Sequence, residues 1–449
     1  MARPSLLDLK RFFRAATHGR HPESRAIGRL AGRVIALGHA LLSERGEVSG
    51  ARLAKDAVAA YRALDADGLR VFFDLLVERF SPDPEEVETC ASAYRSDPSQ
   101  ANLIALQHAV EPPRQELFRR LNMAPGGTGV LIDLRGRLLS ELGANPQWAG
   151  IEADLAHLLA SWFNRGFLVL QRIDWRTPAL VLEKLIHYEA VHQIQGWDDL
   201  HRRLDADRRC YAFFHPALPD EPLIFIEVAL TRGMSASIQS LLETDSPLVE
   251  AESANCAIFY SITSCQAGLR GVSFGNLLIK QVAEDLGREF SNLKTFATLS
   301  PIPGFRSWLT ETAPEHPALL PILERFDAPD WHTTGATASD LQPELMRLCA
   351  HYLLYAKNGH EPLDSVERFH LGNGARLERI NWLGDTSPAG LLRSAGMMVN
   401  YVYHLGDVER NHEAYAREHR VVAARRIETA ARESLLGTPR AAEAEPSRK

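Results

Sequence analysis

Cys256-Ala-Ile-Phe-Tyr-Ser-Ile-Thr263 is a run of apolar and β-branched residues, and Gly268-Leu-Arg-Gly-Val-Ser-Phe-Gly275 follows it. After the glycines, Leu278, Val282, Leu286 and Phe290 recur at helical spacing, and Lys294-Thr-Phe-Ala-Thr-Leu299 returns to strand-like composition. The order strand, glycine loop, helix, strand is the crossover that joins two parallel strands. This stretch therefore predicts a mixed sheet, with a helix from about Asn276 to Phe290 and a second strand ended by Ser300-Pro-Ile-Pro-Gly304. Upstream, Tyr211–Pro216 and Leu223–Leu230 flank the turn-rich Pro219-Asp-Glu-Pro222 and read as a hairpin entering that sheet. Downstream, 341–357 reads as a helix and 375–383, behind the Asn373-Gly374 turn signal, as a strand. An apolar segment covers 387–403, and a charged helix covers 408–436.

The first third has a different texture. Ile27, Leu30, Val34, Leu37 and Leu41 lie on one helical stripe; Leu53, Val58, Tyr61 and Leu64 on a second; Leu69, Phe72, Phe73, Leu76 and Phe80 on a third. Breaks fall at Ser81-Pro82-Asp83-Pro84, Pro112-Pro113 and Pro125-Gly126-Gly127. Short connections favour antiparallel neighbours, so residues 1–163 are expected to form an all-α bundle. The fold class is then α+β with two domains: the helical bundle at 1–163, a mixed α/β domain at 164–437, and a flexible tail at 438–449.

Composition narrows the function. Of 449 residues, 50 are Lys or Arg and 57 are Asp or Glu, a net charge of −7, so the basic excess of a nucleic-acid binder is missing. No apolar run approaches the ~18 residues that span a bilayer. Five scattered cysteines make neither a disulfide framework nor a zinc ribbon. Residues 1–20 are amphipathic and Arg-rich without a secretory h-region, which fits a first surface helix better than an organellar transit peptide. The chain shows no C-terminal SKL address. A soluble protein of a reducing compartment is the expectation.

The loop Arg270-Gly-Val-Ser-Phe-Gly-Asn276 leads from a strand end into a helix. Unpaired N–H groups at such a helix start hold phosphate, and Gly271 and Gly275 let the backbone approach it. An ordinary strand-to-helix turn with two glycines has the same sequence. The loop is neither a Walker A motif nor G-x-G-x-x-G. Gly271-Val-Ser273-Phe-Gly275 is formally G-x-S-x-G, which marks a hydrolase elbow when the turn is tight. Here the turn is long, and no HGG-type oxyanion segment lies upstream. Ser300 precedes proline, so it is extended and ends a strand, where ligands of α/β sheets bind. His370 lies between Phe369 and Leu371, where partial burial would tune its pKa across neutrality. His187 and His192, spaced i, i+5, do not match a helical metal pair, and no metal site is expected.

With these residues in view, the chain resembles malonyl-CoA decarboxylases over most of its length after about residue 160. The resemblance rests on Cys256-Ala-Ile-Phe-Tyr-Ser-Ile, Gly268-Leu-Arg-Gly-Val, Leu278-Ile-Lys-Gln-Val, Leu299-Ser-Pro-Ile-Pro-Gly-Phe305, Phe369-His-Leu-Gly-Asn-Gly-Ala, Arg379-Ile-Asn-Trp382 and Asn400-Tyr-Val-Tyr403. It implies a helical N-terminal domain and a catalytic domain of the GCN5-related acetyltransferase (GNAT-like) type. By motif it puts the catalytic serine and histidine at Ser300 and His370. Ser261 and Tyr403 fall at the malonyl end, and Arg270, Gly271, Val272, Ser273, Phe274, Gly275 and Asn276 form the loop for the CoA pyrophosphate. Ser273 departs from animal relatives, which carry an acidic residue there. The implied reaction converts malonyl-CoA to acetyl-CoA and CO2 with no cofactor, since the CoA thioester is the substrate. The implied partners are malonyl-CoA and a second copy of the chain, as a homodimer or homotetramer, with no nucleic acid and no membrane. An acyl-CoA N-acetyltransferase, a non-enzymatic acyl-CoA-binding scaffold and a Ser273-dependent hydrolase are the competing readings.

Overall fold

A computed structural model of the chain describes residues 22–43, 47–272, 278–326, 328 and 330–437. The amphipathic stretch 1–20, the tail 438–449 and the loop residues Ser273, Phe274, Gly275 and Asn276 lie outside the described residues. The chain forms two compact units. The first gathers the described residues up to Val169 with Phe214–Leu223 and 264–272; the second holds Leu170–Phe213, Ile224–Thr263 and the described residues from Leu278 onward.

The first unit is helical: α1 (Pro22–Ser43), α2 (Glu47–Arg62), α3 (Ala66–Arg79), α4 (Pro84–Ser96), α5 (Gln100–Val110), α6 (Pro113–Asn122), α7 (Gly127–Glu141) and α8 (Ala149–Trp162). Local chemistry starts several of them. Asp65, Asp83 and Ser99 are N-caps whose side chains accept from the N–H of Gly68, Glu85 and Asn102, and Pro84 and Pro113 take first-turn positions where no N–H is needed. The stripes read from sequence become one core: Leu41, Val58, Phe72, Phe73, Leu76, Phe80, Phe118, Leu131, Trp148 and Leu155 are all buried in it. The ends of the chain's later excursions pack on α7. Gly268 approaches so closely that a Cβ there would stand 1.8 Å from the Ile132 carbonyl oxygen. Arg135 donates to the carbonyls of Gly268 and Arg270 at 2.7 and 2.9 Å and pairs with Glu152.

The second unit is built on a mixed sheet of eight strands. These are β1 (Val169–Ile173), β2 (Arg208–Phe214), β3 (Ile224–Thr231), β4 (Cys256–Ser264), β5 (Thr295–Thr298), β6 (Ser300–Pro301), β9 (Arg376–Asn381) and β10 (Met398–Val402), with β7 (Lys357–Asn358) and β8 (Glu361–Pro362) forming a separate pair. The expected hairpin is β2–β3, antiparallel from Arg208↔Ala229 to Phe213↔Ile224. The expected crossover is also present. β4 and β5 are parallel from Cys256↔Thr295 to Phe259↔Thr298, joined through α9 (Leu278–Glu289), whose Leu278, Val282 and Leu286 are buried.

One segment resolves into two elements, and one differs from expectation. The apolar 387–403 stretch divides into a helix, Pro388–Ser394, capped by Ser387, and the strand β10; Ala395 (φ +53°) and Gly396 (φ +72°) make the reversal between them. The 408–436 segment is two helices, Val408–Glu418 and Arg425–Arg432. His419 (φ +50°) ends the first, and the chain between them pairs with the β9 edge, Leu377 N–H donating to Val422 O and Ala424 N–H to Leu377 O. An open strand edge offers unpaired backbone groups, and that pairing displaces a continuous helix.

Candidate active site

The site begins where the β4–β5 ladder ends. The parallel rungs of β4 and β5 stop at Phe259↔Thr298, and Leu299 N–H still donates to Phe259 O. The chain then continues as β6 beside β10 alone, with Val399↔Ser300 and Met398↔Pro301. The pairing of β10 with β9 shifts register between Asn400 and Tyr401, where Glu378 of β9 is left between partners. On its other edge, towards β5 and β6, β10 is tied to the Thr298 side chain and carbonyl: Asn400 Nδ2 donates to Thr298 O at 2.6 Å, and Tyr401 N–H to Thr298 Oγ1 at 3.1 Å. Asn400 is itself held by Arg379 and Asn381, each at 2.9 Å from its Oδ1. These bonds fix Thr298, two residues before Ser300.

His370 comes from α10 (Ser365–Gly372). Asp364 caps that helix, its Oδ1 accepting from the N–H groups of Val366 and Glu367 at 2.9 Å each. Ser300 Oγ lies 2.9 Å from His370 Nε2 and 2.9 Å from Thr298 Oγ1. His370 Nδ1 lies 2.8 Å from the Tyr403 hydroxyl, and the imidazole stacks on Tyr401 with ring centroids 4.6 Å apart. Thr298, Ser300, His370, Tyr401 and Tyr403 are all buried. Burial pushes His370 down to about 3 and lifts both tyrosines well above their ordinary range. The expectation of a histidine poised across neutrality is thus replaced by one that stays neutral, because its surroundings cannot solvate an imidazolium. The constellation is a chain of uncharged donors and acceptors, suited to holding and passing a proton rather than storing charge.

The other expected residues are placed as follows. Ser261 is buried on β4, two residues after Phe259, whose ring meets Tyr403 edge-on at 6.3 Å; the pleat puts Ser261 and Phe259 on one face. The Ser261 hydroxyl donates to Glu189 Oε2 at 2.7 Å, an oxygen shared with Thr263, while Glu189 Oε1 accepts from the N–H groups of Val191 and His192. Arg270 is exposed, Gly271 adopts φ +79°, and Val272 is buried, its N–H donating to Leu269 O; all three belong to the first unit. Thr298, Asn400, Tyr401 and Glu189 were not singled out from sequence. A period-two reading from Ser300 back to Thr298 and from Tyr403 back to Tyr401 would have found two of them. Among the described residues no cluster of His, Cys, Asp and Glu fits a metal ion, and no helix is long and apolar enough to cross a membrane.

One buried acid stands apart. Glu367, one turn before His370 on α10, has no hydrogen-bond partner for either carboxylate oxygen among the described residues. Burial, then the neighbouring Asp364, raises its pKa well above the usual carboxylate range. A carboxyl protonated in the native state but ionised in the unfolded state makes stability fall as pH rises above its unfolded value. Glu367→Gln is therefore expected to raise the thermal midpoint at pH 8 relative to the parent protein, with the gap closing towards pH 4. Melting curves across that range check it, and a gap that widens on acidification contradicts it.

Comparison with known proteins follows from this geometry. Residues 166–441 match the family model described as malonyl-CoA decarboxylase C-terminal domain, and residues 80–163 match the N-terminal domain of the same family. The mitochondrial malonyl-CoA decarboxylase of Anser anser anser is 38% identical over 403 residues, covering 81% of this chain and 80% of that protein. The rat mitochondrial protein is 37% identical over 356 residues, covering 72% of each. The crystal structure of malonyl-CoA decarboxylase from Rhodopseudomonas palustris superposes with a TM-score of 0.86 at 50% identity, covering 89% of this chain and 99% of that one. That from Agrobacterium vitis gives 0.84 at 46% identity, with the same coverage. A helical N-terminal region, a mixed sheet, and relatives matched along most of their length place this chain in the malonyl-CoA decarboxylase family.

Proposed function

We propose that this protein decarboxylates malonyl-CoA to acetyl-CoA and CO2, with Ser300 and His370 as the pair that protonates the intermediate. The observation that carries the reading is the buried 2.9 Å contact between Ser300 Oγ and His370 Nε2, in a chain of this family. Breaking the bond to the carboxylate sends its electron pair into the thioester, giving an enolate and CO2. Donors aimed at the developing thioester oxyanion lower that barrier. The enolate carbon then takes one proton. A neutral imidazole or hydroxyl is acid enough for so basic a carbon, so the depressed pKa of His370 does not remove it from the role. The reading needs no metal, biotin or thiamine, because the thioester already serves as the electron sink. Ser261 and Tyr403 are assigned to the malonyl end and residues 270–276 to the CoA pyrophosphate. A cytoplasmic homodimer or homotetramer belongs to the same proposal.

The test uses purified protein and malonyl-CoA without an amine or added metal. The expected result is acetyl-CoA and CO2 in equal amounts. Free CoA and malonate would point to Ser273 and hydrolysis, turnover only with an amine would point to acyl transfer, and binding without product would leave a scaffold.

A further inference from the structure

Thr298 is fully buried two residues before Ser300, and its hydroxyl oxygen sits between two donors. The Tyr401 backbone N–H, 3.1 Å away, can only donate, and the Ser300 hydroxyl donates to the same oxygen at 2.9 Å. Those two bonds occupy both lone pairs of Thr298 Oγ1. The single Ser300 proton is thereby committed, so Ser300 Oγ meets His370 Nε2 as an acceptor at 2.9 Å. A neutral imidazole carries one N–H. If that proton is on Nε2, Nδ1 is the acceptor, and the Tyr403 hydroxyl at 2.8 Å is its donor. Every member of the chain then has one direction: Tyr403 to His370 to Ser300 to Thr298.

We propose that Thr298 is a positioning residue that sets the tautomer of His370, fixing the Nε2 proton as the one delivered in the reaction. This rests on the decarboxylase reading above. As CO2 leaves, the enolate carbon forms its C–H bond with the Nε2 proton while the Tyr403 proton moves onto Nδ1; after product leaves, a solvent proton returns to Nε2 and Nδ1 hands its proton back to the tyrosine oxygen, which restores the starting tautomer. No imidazolate accumulates, and one solvent proton is consumed per turnover. The tautomer is inherited from the backbone: Tyr401 N–H anchors Thr298, and Asn400 holds the Thr298 carbonyl.

The test is the 15N spectrum of His370 in the resting enzyme, assigned by subtraction against His370→Asn. Nε2 is expected to be protonated and Nδ1 bare. Thr298→Val removes the acceptor while keeping the shape, so the Ser300 hydroxyl turns to Nε2 and the proton moves to Nδ1. The expected consequence is a fall in kcat of about 10²-fold with KM within about twofold, and Thr298→Ser restores both tautomer and rate. A parent enzyme already protonated at Nδ1 overturns the proposal, as does Thr298→Val with unchanged tautomer and kcat. Should Thr298→Val not fold, the spectrum of the parent protein still decides. A protein that releases no CO2 from malonyl-CoA refutes the decarboxylase reading while leaving the tautomer measurement to be judged by itself.

Discussion

His370→Asn is expected to lower kcat for CO2 release by about 10²–10⁴-fold, with the circular dichroism of the folded protein retained. Asparagine offers a donor on one side but cannot take a proton at one end while giving one at the other, which the imidazole between Tyr403 and Ser300 can do. Ser300→Ala should lose a comparable factor. The double variant should lose little more than either single one, because groups that act as a unit are not additive. A Ser300→Ala enzyme with the parent kcat sinks the assignment. Stability carries a second signature. His370 is lowered from an ordinary 6.5 to about 3 by burial, so between those values the unfolded chain binds a proton that the native site refuses. Stability from this group is complete above pH 6.5 and is lost as pH falls towards 3. His370→Asn abolishes that contribution, so its acid-side loss of stability should be shallower than the parent's in urea titrations at pH 6.5, 5 and 4.

Gly374→Ala is the most damaging single methyl that can be added near this site. Gly374 has φ +80°, and a Cβ there would lie 2.1 Å from the Val408 carbonyl oxygen. The αL conformation costs a non-glycine residue about 1–2 kcal/mol, and forcing a methyl into packed backbone adds about 1–3 kcal/mol. The expected destabilisation is therefore about 2–5 kcal/mol, read from the denaturant midpoint. Activity should fall as well, because Gly374 N–H donates to Leu371 O, and Ala375 N–H to His370 O, at the end of α10. Gly372, two residues earlier, is the control. A Cβ there meets nothing within 4 Å and its backbone is helical, so Gly372→Ala should be neutral or slightly stabilising. Equal effects at the two glycines would rule out the steric argument.

Much of the architecture was legible because the signals that write it are short-range. The three apolar stripes of the N-terminal third, broken at proline pairs, became helices of a single core, since a 3.6-residue period needs no knowledge of the partner. The strand, glycine loop, helix and strand at 256–299 became the parallel pair β4–β5 and its crossover. Prediction failed where the outcome depended on a distant neighbour. The long C-terminal helix was interrupted because the β9 edge, some 40 residues earlier in the chain, had backbone groups to satisfy. His370, read as partly buried with a pKa tunable across neutrality, is buried outright, because burial depth is a property of everything packed around α10 and no local residue announces it.

The sequence by itself determined which candidate site residues this protein carries, and on which kinds of element they lie. Ser300 at a strand end, His370 near a glycine turn and a glycine loop ahead of a helix follow from proline, glycine and apolar spacing, whose effects act within a few residues. Only the tertiary structure decided that Ser300 and His370, 70 residues apart, meet at 2.9 Å, that Tyr403 completes the chain, and that Ser261 turns to Glu189. Those contacts depend on β10 lying between β5–β6 and β9, and on the Asn400 side chain reaching the Thr298 carbonyl. Strand order and register are cooperative properties of the whole sheet, set by burying one face and pairing every buried backbone group, and a hydrogen bond between distant side chains exists only once that global accounting has been settled.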